Sequence, residues 1–320
     1  MLNRRPNHVR RLRERRTCSV LLPVSCRCQV ILLVLSVGFL FSLRGGASPA
    51  EVHGLWVWKS SIVLDAPDAA ENLLTFCKSQ GINEVYVSVS ERSEHAEEGA
   101  LVQLISLLHK SGIRVEALLS STEADEPGKH RDTLVRHVQD IVEFNRRHLK
   151  ARFDGIHLDL EPQQRPENKG SGNLSFLPGL VDAYRAVVTA AEPAGMTVNA
   201  DIQNKLLKGD LSQRQMLLSS VPRVTLMMYE LSSPSDGEST EQKEQKVREF
   251  SKRYLTMAYQ GLSASKLAKM AIALRTPDYN NLLPNMLKAL DEANGDDPHY
   301  LGWGRHSYND YLESKPQVGP

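Results

Sequence analysis

From residue 52 onward, short apolar runs alternate with longer segments whose apolar positions recur at helical spacing. The runs at 54–58, 84–90, 114–120, 153–160, 197–202, 224–229, 270–275 and 299–303 predict eight strands. The segments 68–80, 99–111, 128–150, 176–193, 241–261 and 279–294 predict amphipathic helices between them, with a shorter one at 211–220. Apolar strands separated by helices imply βαβ units and a parallel sheet. Eight such units in about 260 residues imply an α/β chain folded as a single-domain (β/α)8 TIM barrel over residues 52–312. The competing arrangement is an open doubly wound sheet, which usually carries a glycine-rich phosphate turn after its first strand. Here Trp58-Lys59-Ser60-Ser61 stands in that place. The polar stretch 232–245 is the only linker-like segment within the barrel, and the tail 313–320 is expected to fray.

Charge changes the picture only after the chain is divided. The 320 residues carry 39 basic and 38 acidic side chains. Residues 1–47 hold nine arginines and a single acid, Glu14, for a net +8, which leaves the remainder at −7. An acidic folded part lacks the positive field that phosphate binding needs, so nucleic acid is excluded as the main partner. The basic head is followed by an apolar run of twelve at 30–41 and by the small residues GGASPA. Twelve residues in a helix fall short of a ~30 Å hydrocarbon core. A cleaved export signal over 1–47 is therefore expected, and with it a secreted or periplasmic protein. An uncleaved signal anchor is the alternative, and it alone would bring a membrane into play. Cys18, Cys26 and Cys28 lie inside this head, so the mature chain keeps only Cys77 and forms no internal disulfide. Asn173-Leu174-Ser175 fits a glycosylation sequon.

The fourth strand concentrates the candidate chemistry. Side chains alternate along a strand, so in 153–162 Ile156, Leu158 and Leu160 share one face while Gly155, His157, Asp159 and Glu161 share the other. The apolar set belongs against the helices, which sends three ionisable groups into the barrel mouth. Unpartnered buried charge costs several kcal/mol, so the arrangement needs a reason. A buried ion-pair network packing the barrel is the purely structural one.

Asp154-Gly155-Ile156-His157-Leu158-Asp159-Leu160-Glu161 resembles the strand-four signature D-G-x-D-x-D-x-E of glycoside hydrolase family 18, the chitinase-like barrels. The resemblance implies Glu161 as general acid and Asp159 as the carboxylate that orients a substrate acetamido group. His157 departs from the pattern, standing where the family has its innermost Asp, and a histidine there could hydrogen-bond Asp159. Met227-Met228-Tyr229-Glu230 resembles the family's M-x-Y-D, which implies that Tyr229 and Glu230 hold the reacting sugar. Leu301-Gly302-Trp303 parallels the tryptophan that floors the sugar pocket. The resemblance runs through the barrel in order, with identity confined to about ten positions, as in a divergent relative.

The residues point to the same substrate class without the family. Sugars stack their C–H faces on aromatic rings while polar groups take the hydroxyls. The three tryptophans after the head, Trp56, Trp58 and Trp303, and also Tyr86 and Tyr229, all fall on strands. Two-carboxylate hydrolysis needs a second acid, and the end of strand seven, where many retaining barrels place one, carries Arg275. Substrate assistance needs one acid and a polarising neighbour, which Glu161 and Asp159 supply for an N-acetylated sugar. A third scheme pairs Glu161 with Asp201 or Glu230 as base. Arg275 either neutralises Asp159 and Glu161 or binds a sugar carboxylate, and Glu116 could join an inward polar core. No cofactor or metal is expected, because adjacent inward residues of one strand lie ~6.6 Å apart and do not readily share an ion. The sequence thus predicts an exported glycoside hydrolase acting on an oligo- or polysaccharide. The competing class is a carbohydrate-binding barrel whose catalysis has lapsed.

Overall fold

The computed structural model describes residues 51–89, 98–169, 174–229, 238–263 and 266–314. The head 1–47, Asn173 of the sequon, Glu230, most of the front half of the polar stretch 232–245 and the end of the tail from 315 lie outside the described residues.

Eight strands form: β1 (Val52–Val57), β2 (Glu84–Ser88), β3 (Arg114–Ser121), β4 (Gly155–Leu160), β5 (Thr197–Gln203), β6 (Arg223–Met227), β7 (Lys269–Arg275) and β8 (Tyr300–His306). Each pairs in parallel with the next, and β8 pairs with β1, so the sheet closes on itself. Around it run α1 (Ser61–Leu64), α2 (Ala69–Gln80), α3 (Glu98–His109), α4 (Lys129–Arg147), α5 (Leu177–Ala191), α6 (Leu211–Leu218), α7 (Thr240–Tyr259), α8 (Thr276–Tyr279), α9 (Leu283–Asn294) and α10 (Tyr308–Ser314). The expected single-domain (β/α)8 barrel is what forms, with strand and helix order as the periodicity predicts. The helix expected over 279–294 is divided: α8 is a short separate turn, and Pro284 sits near the start of α9. No described helix is long and apolar enough to cross a membrane.

Alternation along each strand sorts the side chains into two cores. Outward residues such as Leu55, Val85, Val115, Ile156, Leu158, Val198, Leu226 and Ile272 pack with the helices in one continuous apolar layer. The inward residues are fewer and more polar. At the amino end of the barrel Val52, Ala271 and Leu301 form a small apolar plug. Above it Trp56, Tyr86, Leu118 and Ala273 fill the centre, with Trp58 and Tyr229 packed over them towards the mouth.

Small residues make this filling possible. A methyl group on Gly304 would meet the Trp56 ring at 2.4 Å, and one on Gly54 would meet the Tyr86 hydroxyl at 2.4 Å. Closing eight strands leaves room for only one layer of large rings, so β8 and β1 give up side chains opposite the tryptophan and the tyrosine. Gly304→Ala should therefore lower the free energy of unfolding by about 1–3 kcal/mol through overpacking, read by denaturant titration. A variant as stable as the parent would mean that Trp56 has space to move and does not fill the barrel.

Candidate active site

The carboxyl ends of the strands bring together most of the residues that the sequence singles out. β4 delivers His157, Asp159 and Glu161 on its inner face, because Ile156, Leu158 and Leu160 are held against the helices. His157 is fully buried and Asp159 is 8% exposed, whereas Glu161 is only half-buried at the rim. The Glu161 backbone N–H still donates to the Ser121 carbonyl of β3 at 2.9 Å, so the side chain projects from the sheet's own register. Pro162 then starts a 3-10 turn over Pro162–Gln164.

Three amides converge on Glu161. Gln203, at the end of β5, donates to Oε1 at 2.7 Å, Gln163 donates to the same oxygen at 3.1 Å, and the Gln164 amide donates to Oε2. Burial raises the proton affinity of Glu161 and so does the negative charge of Asp201. Gln203, Gln163 and His306 oppose them, and the balance lies above the ordinary glutamate value. Asp159 is pushed further. Burial, and then the charges of Asp201 and Glu161, lift its carboxyl well above the usual range, and Oδ1 has no hydrogen-bond partner.

His157 does not bond Asp159. Its ring turns to β5, where Nε2 donates to Asp201 Oδ1 at 2.9 Å. The second Asp201 oxygen accepts from Trp56 Nε1 at 3.1 Å. Side chains one strand apart on the same inner face can meet, whereas Asp159 lies two residues up the same strand, a rise of ~6.6 Å. On the other side His157 Nδ1 lies 3.1 Å from the Asn199 amide and 3.5 Å from Glu116 Oε2. Tyr86 stacks on the imidazole at 3.7 Å between centroids, and Trp56 meets it edge-on at 5.2 Å. Burial pulls the imidazole down, but the neighbouring Asp201 and Glu116 outweigh it and lift the ring to about 9.

A second polar group sits deeper. Arg223 of β6 reaches Glu84 at 2.7 Å and Glu116 at 3.2 Å, and Arg114 lies 3.6 Å and 3.7 Å from the same two acids. Gly155 leaves the room for this: a methyl there would stand 2.8 Å from Glu116 Oε1. Burial and the adjacent Glu116 raise Glu84 to about 8, while Glu116, although burial raises it, is held low by Arg223 and His157. The pair thus holds one proton, on Glu84, and Glu116 belongs to an inward ion network, as its alternation in β3 predicts.

The rim is aromatic and mixed in charge. Trp58 donates from Nε1 to His306 Nε2 at 2.8 Å, and Tyr229 lies 5.4 Å from the same imidazole. Arg275 sits 5.8 Å over the Tyr229 ring and 3.8 Å from Asp278, with which it pairs, rather than beside Asp159 or Glu161. Asp278 is itself raised to about 6, chiefly by burial. Among the described residues, no group of three or more His, Cys, Asp or Glu side chains is arranged to hold a metal ion.

Two sequence-predicted sugar contacts are corrected: Trp56, which is fully buried in the barrel centre with no face left for a sugar, and Trp303. Trp303 points out of the barrel: it stacks on His53 at 4.1 Å and donates from Nε1 to Asp291 of α9 at 3.0 Å. The cause is a register shift in β8, where Tyr300 faces Met270 but Gly302 faces Ala271, so Leu301 is an extra residue. Beyond that bulge the inward positions are Gly304 and His306. His306 and Gln203 escape the sequence reading because both lie beyond the expected ends of their strands, at 303 and 202. Continuing the alternation from Asp201 reaches Gln203; nothing in the sequence marks the bulge.

The His157 shift has a consequence for stability. The ring's folded value lies above its ordinary value of 6.5, so its contribution is complete below about pH 6.5 and is lost as pH rises through about 9. Denaturant unfolding of the parent and of His157→Gln, compared between pH 6 and 10, should show the parent's advantage shrinking with rising pH. An advantage constant across that range would contradict a protonated, charge-paired ring.

No family model matches the sequence, and no curated protein matches it. Among solved structures, the fold is similar to that of the GH5_18 protein from Streptomyces cattleya in complex with GlcNAc, with a TM-score of 0.58 and 11% identity over 81% of this chain and 71% of that one. The endo-1,4-β-mannanase of Rhizomucor miehei gives a TM-score of 0.53 and 11% identity over 82% of this chain and 87% of that chain. A chitinase from Bacteroides thetaiotaomicron gives 0.51 and 13% over 82% and 93%. At such identities the likeness is one of fold: this chain is a (β/α)8 TIM barrel.

Proposed function

We propose that the barrel mouth is the active site of a glycoside hydrolase in which Glu161 protonates the departing glycosidic oxygen and Asp159 assists. The observation that carries this reading is the pairing on one strand end of two carboxyl groups with raised proton affinity, a half-buried Glu161 and a buried Asp159 with a free oxygen. A group that must give a proton near neutrality has to keep it until then, and burial beside like charge is how a carboxyl does so. The rim of Trp58 and Tyr229 supports a sugar substrate, whose C–H faces stack on rings of this kind.

The geometry also narrows the chemistry. Asp201 has both oxygens committed, to His157 and Trp56, which speaks against its use as a nucleophile or base. Arg275 occupies the end of β7. With Glu230 outside the described residues, the single-acid route is the one that the described residues supply. Glu161 gives its proton to the glycosidic oxygen as the bond to the anomeric carbon breaks. The carbonyl oxygen of the substrate's own 2-acetamido group closes on that carbon, while the Asp159 carboxyl accepts from the acetamido N–H. Water then attacks the anomeric carbon, reopens the ring and returns a proton to Glu161. N-acetylated oligo- or polysaccharides are the substrates this route requires, and the sugar in the Streptomyces cattleya complex, GlcNAc, is of that class. The arginine-rich head and apolar run at 1–41 support export, with the work done outside the cytoplasm.

The protein offered aryl N-acetylglucosaminides and N-acetylglucosamine oligomers should turn over at least one of them. Glu161→Gln should lower kcat by about 10²- to 10⁴-fold, the usual worth of a general acid, with substrate binding retained. Turnover unchanged by that substitution removes Glu161 from the role. Glycan binding by both proteins with turnover by neither would favour the lapsed, binding-only barrel.

A further inference from the structure

Glu84, Glu116, Asp159, Glu161 and Asp201 all point into the barrel, and positive charge reaches them unevenly. The deeper two share Arg223 and Arg114. Nearer the mouth, the cation in closest contact is His157, 2.9 Å from Asp201 through Nε2. Its other nitrogen, Nδ1, lies 3.5 Å from Glu116 Oε2, a buried oxygen that no hydrogen bond reaches. A ring protonated at both nitrogens is the form that answers both carboxylates, and it requires the Asn199 amide, 3.1 Å from Nδ1, to turn its oxygen towards the ring.

We propose that His157 and Asp201 form a fixed ion pair that sets where the protons of the mouth reside, the Asp201 charge favouring the protonated forms of Asp159 and Glu161. Both are positioning residues. Tyr86 and Trp56 cover His157, and both Asp201 oxygens are taken, so neither side chain reaches a bound sugar. The purpose assigned to the pair rests on the reading of the mouth as a glycosidase site; the proton placement is measurable without turnover.

The electrostatics agree in sign. Asp201 is among the charges that raise both Asp159 and Glu161, and His157 lowers Asp159. Other groups facing the pair and its targets come from most sides of the barrel. Tyr86, Tyr184 and Tyr229 are driven far above their ordinary range by burial and stay neutral. From β8 His306 opposes the rise of Glu161, Lys205 after β5 lies within electrostatic reach of it, and Arg275 of β7 acts on Tyr229. None of these contacts Asp201 through a side-chain ion pair as His157 does.

The test is a ¹³C NMR titration of the Asp159 and Glu161 carboxyl carbons in the full chain and in three variants. Asp201→Asn removes a negative charge and should move both midpoints down by about half a pH unit or more. His157→Gln removes a positive charge and should move the Asp159 midpoint up by a similar amount. The double variant should return towards the parent. Shifts in one common direction, or none, overturn the proposal, since a purely structural role has no reason to follow the sign of the deleted charge. If His157→Gln does not fold, Asp201→Asn decides alone: a downward shift supports the pair, and an unchanged or upward midpoint overturns it. Where a glycoside is turned over, the alkaline limb of kcat/KM should follow the Glu161 midpoint in each variant. Carbons that shift as expected in a protein that cleaves no glycoside would sink the activity and leave the proton assignment standing.

Discussion

Everything at the mouth depends on how little positive charge a closed barrel can hold beside its buried carboxyl groups. Water cannot screen the interior, so each acid either finds a cation within contact or keeps its proton. Arg223 and Arg114 serve the deeper acids, Glu84 and Glu116, and the ring of His157 serves Asp201. Asp159 and Glu161 come last in that order, and the proton affinity of both is raised. The raised carboxyl groups at the mouth thus follow from neutralisation lower down.

Packing and charge are linked through single residues. Trp56 fills the centre of the barrel and also donates to Asp201, so the same ring excludes water and fixes a carboxylate. Gly304 makes room for that ring, and Gly155 makes room for the Glu116 carboxylate. Tyr86 stacks on the imidazole that joins the two polar groups. A change in any of these would reach the mouth through geometry before it reached it through charge.

The barrel was legible because apolar outward faces repeat with period two on every strand and period 3.6 on the helices. The same rule places His157, Asp159 and Glu161 inward, since each lies two residues from the next along β4. The expectation drawn from the resemblance fails at Trp303, where one extra residue in β8 exchanges inside for outside. Nor does alternation name the partner of His157, because contacts between neighbouring strands depend on register, which a strand's own sequence does not carry. The histidine that departs from the family-18 pattern bonds the acid beside it, Asp201, and not the acid above it, Asp159.

Neutron diffraction on deuterium-exchanged crystals near pH 7 tests the central claim most directly, because it locates the hydrogens themselves. Deuterons on both ring nitrogens of His157, none on Asp201 and one on Asp159 are the expected result. A singly protonated His157 beside an ionised Asp159 would contradict it.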